Sequence, residues 1–574
     1  MVTAVSVTAR HIPAPGEAPM PASNAAALLR ANAADPARRD RPAIREGDRV
    51  WTHGEYLAVS ARWANLFLAK RVAGRPFHVG VLLDNVPEYL FALGGAALAG
   101  AALVGLNHTR RDEHLLRDIV HTDIGLLVTE SRHVPLLEPI RDRLPCPVLT
   151  VGEDLEEALA AVPGRDPGID PDPGTTWALI FTSGTSDAPK AVICSQRRIL
   201  QTGTRMGIIM EIGPDDVGYL CMPLFHSNAV MVGWAPSIVY GASVALARRF
   251  SASGWLADVR RYGVTYWNYT GKPLAYILAT PERPDDAENP LRVAYGNEGA
   301  PQLVEAFARR FGVRVIDAFG ATEGGIAVNR VDDAPPGALG LAPPNIKVVD
   351  EDGNELPRAR FDAAGRLENA AECVGEIVNT AGVGPFEGYY NNDEANARAT
   401  RFGWYWSGDL GYMDQRGFLY FAGRNADWIR VDGENFPAGP IEAAIGRHPD
   451  VMFCAVYGVP DAQAGDQVMA CLVLKEGASF DPEGFAAWID AQADLGPKWR
   501  PRYVRVTASM PVTPTNKILK RTLVHQKFRA DRTAGDAVWV RERGEAAYRR
   551  FTAADEEALR AAFVANGRER FWDL

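Results

Sequence analysis

The order of hydrophobic and polar positions predicts a helix and then a buried strand near the start of the chain. Residues 50–69 present an apolar helical face, and Thr52 and Glu55 at their start form a T-x-x-E capping box, which is typical of a helix N-terminus. Residues 78–83 (HVGVLL) are continuously apolar, as in a strand covered on both faces, and a further helix is predicted after Asn85. The first predicted elements are therefore a helix, a strand and a helix.

The segment from Tyr89 to Asn107 carries no charged residue, so its length raises the question of a membrane span. Much of it is Ala and Gly (FALGGAALAGAALVGLN), which makes its hydrophobicity modest. The pattern predicts a tightly packed buried helix that runs into a short strand, with peripheral membrane contact as the alternative. No transmembrane segment is predicted.

The middle of the chain alternates between helical and strand patterns. Helix and strand follow one another through the segments WLADVRRYG, VTYWNY, KPLAYILAT, LRVAYG, APQLVEAFARRFG and VRVIDAF. Such alternation predicts a parallel, doubly wound α/β sheet. Ligands of these sheets bind in loops beyond the carboxyl ends of the strands, so residues 296–301 and 320–325 are candidate binding loops.

The last third of the chain predicts two further parts. Residues 337–420 are rich in Gly, Asp and short β-like runs, and predict a β-rich subdomain. A smaller α+β domain is predicted to start near Arg424, and its tail after Lys517 is charged and amphipathic, with one predicted helix. The sequence therefore predicts a large N-terminal domain, residues 1–423, and a small C-terminal domain, residues 424–574.

The composition narrows the class of protein. The 574 residues carry a formal net charge of −10, and an acidic chain does not attract nucleic acid by its overall field. The six cysteines are scattered, with no CxxC pair and no histidine at zinc-ligand spacing, so neither a disulfide framework nor a zinc site is predicted. The first residues lack the sustained apolar core of a signal peptide, and a reducing cytoplasm is the expected location.

One loop has the composition of a phosphate-binding site. Residues 181–190 (FTSGTSDAPK) follow the apolar run WALI, so a small, hydroxyl-rich loop that ends in lysine comes directly after a strand. Backbone N–H groups and hydroxyls in such a loop surround phosphate oxygens, and the lysine adds positive charge. No GK[ST] is present, so this is not a Walker A loop, and a loop of this kind taken alone is more often a flexible surface turn.

Further motifs follow that loop in the order found in one known superfamily. After TSGTSDAPK come FGATEGG (319–325), SGDLG (407–411), GRNADWIRVDGEN (423–435) and PTNKILKR (514–521). Over nearly the whole chain they resemble the adenylate-forming superfamily of acyl-CoA synthetases, adenylation domains and luciferases. The chain looks closest to actinobacterial fatty-acyl and steroid side-chain CoA ligases. YGNEGAP, PLFHSNA and the long C-terminal tail also resemble very-long-chain synthetases and fatty-acid transport proteins.

The resemblance assigns a nucleotide site to these motifs. Asp409 would accept hydrogen bonds from the ribose hydroxyls, Arg424 would reinforce that contact, and Phe319 would stack on adenine where relatives often have Tyr. The implied nucleotide-binding residues are Thr182, Ser183, Gly184, Thr185, Lys190, Gly299, Ala300, Pro301, Phe319, Gly320, Asp409, Arg424 and Gly433.

The residues implied to act in catalysis are Lys517, Glu323, Thr322 and His226. Glu323 would hold Mg²⁺, with Thr185 as a second metal contact, because a hard cation that bridges phosphates needs oxygen ligands. Thr322 would contact the α-phosphate region, and His226 in PLFHSN would border the acyl carboxylate, although a lone histidine is more often structural. Lys517, on a mobile small domain, would offset negative charge as the carboxylate and the α-phosphate meet.

An acyl pocket is implied by stretches that line it in the superfamily. Its predicted residues are Trp234, Tyr266, Trp267, Asn268, Tyr269, Gly271 and Gly325. Small residues there leave room for a chain or a ring. In a strand such as VTYWNYT, alternate side chains face opposite sides, so only half of the aromatic rings can reach a substrate and the others pack in the core.

Four positions depart from the superfamily's pattern. Asp187 stands where the phosphate loop usually has Gly, and Asn516 replaces the Gly before the implied catalytic lysine, although Asn tolerates left-handed backbone angles. Ala426 occupies a hinge position that often has Asp or Lys, and Glu298 occupies a position where smaller or amide residues are common. None of the four removes a group that the chemistry requires.

The resemblance implies an ATP-dependent ligase that activates a hydrophobic carboxylic acid as its acyl-AMP and passes the acyl group to coenzyme A. The implied acid is a medium- to very-long-chain fatty acid or a steroid side-chain acid, and ATP, Mg²⁺ and coenzyme A are the implied cofactors. One alternative is an adenylating enzyme with another acceptor, such as an amine or a carrier-protein thiol. The other is a fatty-acid uptake or binding protein. A homodimer stays open, and no nucleic-acid partner is expected.

Overall fold

The computed structural model describes residues 12–182, 189–297, 299, 301–329, 333–335, 337–362, 367–424, 428–431, 434–463, 465–492, 495–513 and 518–573. The chain forms two compact units: unit 1 contains residues 1–327 and 382–401, and unit 2 contains residues 328–381 and 402–574. The domain boundary expected between residues 423 and 424 stays a prediction.

The helices are given in chain order. They are α1 (Ala25–Ala34), α2 (His53–Lys70), α3 (Pro87–Ala99), α4 (Asp112–His121), α5 (Val134–Leu137), α6 (Asp154–Ala160), α7 (Gln196–Met210), α8 (Ala235–Tyr240), α9 (Trp255–Tyr262), α10 (Gly271–Leu278), α11 (Pro301–Phe311), α12 (Ala370–Cys373), α13 (Asp393–Ala399), α14 (Gly439–Ile445), α15 (Pro482–Ala491), α16 (Lys520–Gln526), α17 (Ala553–Ala565) and α18 (Arg570–Asp573). Short 3₁₀ turns cover Ser131–His133, Glu138–Arg143 and Arg401–Gly403, and Asn228–Trp234 is π-helical.

The strands follow the same numbering. They are β1 (Pro42–Glu46), β2 (Arg49–Thr52), β3 (His78–Leu82), β4 (Ala102–Gly105), β5 (Leu126–Glu130), β6 (Val148–Val151), β7 (Thr176–Phe181), β8 (Ala191–Ser195), β9 (Val217–Leu220), β10 (Ser243–Leu246), β11 (Tyr266–Thr270), β12 (Val293–Asn297), β13 (Arg314–Gly320), β14 (Ala327–Asn329), β15 (Ala338–Leu341), β16 (Ile346–Val349), β17 (Gly375–Asn379), β18 (Tyr405–Met413), β19 (Phe418–Arg424), β20 (Trp428–Val431), β21 (Glu434–Pro437), β22 (Val451–Pro460), β23 (Asp466–Leu474), β24 (Tyr503–Val506), β25 (Ala537–Val540) and β26 (Arg549–Arg550).

Unit 1 is built around two mainly parallel sheets. One has the strand order β6-β5-β3-β4-β7-β8, parallel except for the last pair. The other runs β13-β12-β11-β9-β10-β1-β2 and is parallel from β13 to β1. The alternating pattern in residues 255–320 is confirmed, since α9, β11, α10, β12, α11 and β13 follow one another there. The prediction of an α/β fold with parallel sheets is therefore confirmed.

Unit 2 is richer in antiparallel strands. The sheet β15-β19-β18-β17-β16 is antiparallel throughout and forms the predicted β-rich part. The C-terminal sheet has the order β22-β23-β24-β25-β26, in which only the β23–β24 pair is parallel. The tail helix predicted from its amphipathic pattern is present as α17.

The capping box and the buried helix and strand predicted near the N-terminus are also confirmed. At the start of α2 the Glu55 N–H donates to Thr52 Oγ1 at 3.1 Å, and the Thr52 N–H donates to Glu55 Oε2 at 2.8 Å, which completes the capping box. The uncharged segment folds as the buried helix α3 followed by β4. Among the described residues, no helix is both long and apolar enough to cross a membrane.

Helices α2 and α3 approach each other closely because α3 carries glycine at the contact. A Cβ atom on Gly95 would stand 2.6 Å from the Cβ atom of Trp63 and 3.1 Å from the backbone nitrogen of Ala64. Trp63 is fully buried, so neither helix has room to shift without disturbing the core.

We predict that Gly95→Ala lowers the thermal unfolding midpoint of the protein. Overpacking a core costs about 1–3 kcal/mol, whereas alanine's better helix propensity offsets at most about 1 kcal/mol. Gly213→Ala is the matched control, because its new Cβ meets nothing closer than an Asp216 oxygen at 3.9 Å. A Gly95→Ala midpoint at or above that of the wild type would contradict this account.

Candidate active site

The loop predicted to bind phosphate connects the antiparallel strands β7 and β8. At its base the Thr182 N–H donates to the Lys190 carbonyl oxygen at 3.0 Å, which keeps the two ends of the loop together. Ser183, Gly184 and Thr185 lie outside the described residues, as does Asp187. The structure thus gives the hairpin that presents the loop, and the phosphate contacts stay a prediction.

Tyr389 links two residues that were predicted to act on phosphate. The carboxylate of Glu323 is buried, and the hydroxyl of Tyr389 donates a hydrogen bond to its Oε1 atom at 2.8 Å. The Nζ atom of Lys190 lies 5.4 Å from the centroid of the same tyrosine ring, which is a cation–π distance. One buried ring therefore orients both the lysine and the carboxylate.

Thr322 is held from two directions. Its Oγ1 atom lies 2.7 Å from the Ser227 Oγ atom in a bond between two hydroxyls, and its carbonyl oxygen accepts a hydrogen bond from Arg198. Ser227 directly follows His226, whose ring packs against Phe225 with the centroids 4.5 Å apart. The motifs ATE and PLFHSN, which lie far apart in sequence, therefore meet through a pair of hydroxyls.

Arg198 fixes the loop that carries Thr322. It is a buried cation on α7, 4% exposed, and its guanidinium also donates to the Ile193 carbonyl oxygen at 2.7 Å. Ser195 caps the helix by accepting the Arg198 N–H at 3.1 Å, and its own hydroxyl donates to Glu387 Oε1 at 2.6 Å. Since a buried guanidinium without acceptors would be costly, this network fixes the position of the Thr322 carbonyl.

Strand β11 divides its side chains between two faces, as alternation requires. The Tyr266 hydroxyl donates to the Gly233 carbonyl oxygen at 3.1 Å, and Asn268 Nδ2 donates to Asn228 Oδ1 at 2.7 Å, so both face the π-helical segment. That segment begins one residue after Ser227. Asn268 thus contacts Asn228, the last residue of PLFHSN, whose own Nδ2 atom donates to the Tyr269 carbonyl oxygen at 3.2 Å.

The aromatic rings on the other face of β11 lie in the core. Trp267 packs against Trp255 and Phe307, with centroids 5.2 Å and 5.8 Å away. Trp234, on the π-helical segment, is buried against Trp177 with the ring centroids 5.7 Å apart. Core packing therefore accounts for Trp234 and Trp267, and the membership of the acyl pocket stays a prediction.

A carboxylate absent from the prediction organises the strand ends near Gly299. Asp317 Oδ2 accepts hydrogen bonds from the Tyr269 hydroxyl at 2.7 Å and from the Gly299 N–H at 2.9 Å. A Cβ atom on Gly299 would lie 2.5 Å from this oxygen, so the close approach requires glycine.

The other predicted residues of this region lie at the ends of elements or are buried. Phe319 and Gly320 end β13, Pro301 begins α11, Gly271 begins α10, and Gly325 is buried. Ala300 and Glu298 lie outside the described residues.

The predicted ribose site lies in unit 2. Asp409 on β18 is 7% exposed, and the strand register places the backbone of Arg424 on β19 directly opposite it. Gly433, Ala426, Asn516 and Lys517 lie outside the described residues. The pairing of Asp409 with Arg424 on adjacent strands agrees with a shared role, and that role stays a prediction.

A cluster of possible metal ligands elsewhere in unit 1 is better explained as an ion-pair network. The ligand atoms of Asp84, Glu130 and His133 lie within 4.8 Å of one another. Arg132 donates to Asp84 Oδ2 at 2.5 Å, however, and Arg248 donates to Glu130 Oε1 at 2.7 Å. Burial opposes ionisation of Asp84, but its hydrogen bond to His133 and the nearby cations lower its pKa to about 2. Cationic side chains thus take the oxygens that a metal would need.

Some residues of the candidate site were not predicted from the sequence, and they share one property: each contacts a residue that is distant along the chain. They are Arg198, Ser227, Asp317, Glu387 and Tyr389. Ser227 lies within the quoted motif PLFHSN, and the aromatic pair in GYYNN was a local signal for Tyr389. The other three carried no signal in spacing or periodicity.

Two family models match the chain. That of the AMP-binding enzymes covers residues 30–390, and that of the AMP-binding enzyme C-terminal domain covers residues 440–517. The chain therefore belongs to the AMP-binding enzyme family, and the resemblance to the adenylate-forming superfamily is confirmed.

Similar proteins refine this assignment, and a solved structure shares the fold. Steroid-22-oyl-CoA synthetase of Rhodococcus jostii is 46% identical over 93% of this chain and 96% of its own length. The medium/long-chain-fatty-acid–CoA ligase FadD17 of Mycobacterium tuberculosis is 49% identical over 81% of this chain and 89% of its own. The crystal structure of the anthranilate CoA ligase AuaEII with anthranoyl-AMP shares the fold at 22% identity, with a TM-score of 0.77 over 87% of this chain and 96% of that one. The protein is thus an enzyme of the acid–CoA ligase class.

Proposed function

We propose that this enzyme activates a hydrophobic carboxylic acid, either a medium- to very-long-chain fatty acid or a steroid side-chain acid, and joins it to coenzyme A. In the first half-reaction a carboxylate oxygen attacks the α-phosphorus of ATP and pyrophosphate leaves. In the second, the sulfur of coenzyme A attacks the acyl carbonyl carbon, the thiol gives up its proton and AMP leaves. The observation that carries the proposal is the meeting of Lys190, Tyr389, Glu323, Thr322 and Ser227 in unit 1.

Each of these side chains has a role that its chemistry suits. Lys190 beside the Tyr389 ring is a cation suited to the phosphate end of ATP. The Thr322 and Ser227 hydroxyls can donate to oxygens of the α-phosphate and the carboxylate, which must approach each other in spite of their like charge. Because reactants held in line react at effective molarities on the order of 10⁵ M or more, positioning supplies much of the rate.

Mg²⁺ fits the carboxylate of Glu323. This ion usually keeps several waters and binds through one or two carboxylates together with substrate phosphates. Glu323 offers one such carboxylate, which accepts a hydrogen bond from Tyr389, and Thr185 is the second implied contact. When bound, the ion neutralises phosphate charge. Glu323 supplies the anchoring oxygen, and Tyr389 orients it.

We predict distinct effects for two substitutions at this contact. Glu323→Gln should lose most acid-dependent pyrophosphate release, by about 10²–10³-fold. Tyr389→Phe keeps the ring beside Lys190 but removes the bond to the carboxylate, so it should raise the Mg²⁺ concentration for half-maximal rate roughly tenfold. The matched control is Tyr390→Phe, whose hydroxyl donates to Asp123 at 2.8 Å instead. Full activity of Glu323→Gln, or turnover in excess chelator, would reject the metal assignment.

We propose that a hydrophobic pocket selects the acid. The support is the pair of relatives named for steroid and medium- to long-chain acids, together with the small residue Gly325, two positions after Glu323. Cytoplasmic location belongs to the same proposal and stays a prediction, and a homodimer stays open.

We predict turnover of octanoate, palmitate or a steroid side-chain acid, and little turnover of acetate or malonate. Each acid is supplied with ATP and coenzyme A, and the products are identified by mass spectrometry. Amines and a carrier-protein thiol are offered as competing acceptors. Turnover of acetate or malonate equal to that of the apolar acids would contradict the acid class, and product formed only with another acceptor would contradict the role of coenzyme A. A protein that binds fatty acid without any turnover would be a binding or uptake protein.

Lys517 is proposed to act in adenylation alone, because its charge matters while two anions approach and matters little when a neutral thiol attacks the finished adenylate. We predict that Lys517→Ala slows acid-dependent pyrophosphate release by about 10²–10³-fold. The same variant, given chemically made acyl-AMP and coenzyme A, should form thioester at a near wild-type rate. Lys475→Ala, at an exposed position of the same unit, is the control. If both steps fall together, Lys517 has another role; if neither falls and Lys520→Ala slows adenylation instead, the motif was misassigned.

A further inference from the structure

The chain continues for 57 residues past Lys517, where the match to the C-terminal family model ends. These residues are integral to unit 2. Strand β25 pairs with β24 and extends the C-terminal sheet, and α17 and α18 follow. The question is what the last two helices do beyond completing the sheet's surroundings.

The last helices contact the residue that ends α16. Lys527 follows α16 directly and is 2% exposed. Its Nζ atom donates to the carbonyl oxygens of Phe571 at 2.6 Å and Trp572 at 3.2 Å. A buried ammonium group is expensive unless acceptors surround it, so these carbonyls fix Lys527, and Lys527 fixes the end of α16.

The same helices complete the core beneath α16. Leu523 on α16 belongs to one buried cluster with Phe563 on α17 and Trp572 on α18, and Ile518 packs against that cluster. The Trp572 ring lies 5.9 Å from Phe528 and 5.6 Å from Phe563, measured between centroids. Apolar packing and the hydrogen bonds of the buried Lys527 ammonium group therefore both hold α16 against α17 and α18.

Residue 518 closes the loop that contains Lys517. Val512 and Ile518 form an isolated antiparallel bridge, and the Leu519 N–H donates to the Pro511 carbonyl oxygen at 2.9 Å. Residues 514–517 lie outside the described residues, but both ends of the loop are described. Its C-terminal end is continuous with α16.

We propose that α17 and α18 act as a clamp on the base of the Lys517 loop, with Lys527 and Trp572 as positioning residues for adenylation. Other contacts also hold α16 in unit 2: Lys520 pairs with Glu442 at 2.9 Å, and Gln526 Oε1 accepts a hydrogen bond from Arg505 at 2.7 Å. The clamp adds the buried anchor at the end of the helix. The proposal rests on the role of Lys517 proposed above.

The test compares Lys527→Met with Arg560→Met, a matched loss of a cation from an exposed position of α17. Hydrogen exchange at the Leu519 amide reports the base of the loop without any substrate. We expect faster exchange there in Lys527→Met only. We also expect slower adenylation, by roughly tenfold to a hundredfold, since about 1 Å of misplacement can cost that much. Thioester formation from supplied acyl-AMP should change by less than about twofold, because the charge of Lys517 matters little when a neutral thiol attacks the finished adenylate.

The outcomes separate the clamp from the assigned reaction. Unchanged exchange and unchanged adenylation in folded Lys527→Met would overturn the clamp, and so would an equal fall in both half-reactions. Faster exchange at Leu519 with no acid turned over by the wild type would leave the clamp standing and reject the proposed function. If Lys527→Met does not fold, Trp572→Leu decides, because it keeps the carbonyl that Lys527 contacts and removes only the ring.

Discussion

The candidate site depends on the return of residues 382–401 to unit 1 after the chain has entered unit 2. Glu387 on this segment accepts a hydrogen bond from the hydroxyl of Ser195 at the start of α7, and the hydroxyl of Tyr389 donates a hydrogen bond to Glu323. The segment therefore supports both the helix that holds the ATE loop and the carboxylate within that loop. Without this segment, Ser195 at the start of α7 and the buried carboxylate of Glu323 would lose these partners, so local motifs alone do not form the site.

Two cations in this region are held by contacts within unit 1. Arg198 is buried with its guanidinium on backbone carbonyls, one of which belongs to Thr322, and Lys190 stands over an aromatic ring. A cation that is already in place needs no rearrangement when anions meet, which favours electrostatic stabilisation of the transition state. Rigid support behind these residues therefore matters as much as the residues themselves.

The sequence predicted most of the elements because their signals are local. The capping box of Thr52, the alternation in residues 255–320 and the amphipathic helix α17 each depend on neighbours a few positions away. The π-helical segment had no such signal, since no period in the chain marks the extra residue of a π-helical turn. Motif resemblance supplied Glu323, but not the tyrosine that orients it.

The site could be predicted only as far as its motifs reach. Arg198 and Thr322 are 124 positions apart, and Ser195 and Glu387 are 192 apart, so no window of sequence contains either pair. Alternation predicted that β11 would split its side chains between two faces, but not that both faces would be buried, with Trp267 against Trp255 of α9 and Phe307 of α11. Which residues become hydrogen-bond or packing partners is therefore decided by the fold and not by the local sequence.

The buried cluster that joins Leu523 to Trp572 has a consequence for how the protein is made. A ribosome adds about 5–20 residues per second, so roughly 2–10 s separate the synthesis of these two side chains. Until α18 has been made, the apolar face of α16 lacks the cover that Trp572 gives it. Unit 1, whose last segment ends at residue 401, can finish folding while unit 2 is still waiting for its final helix.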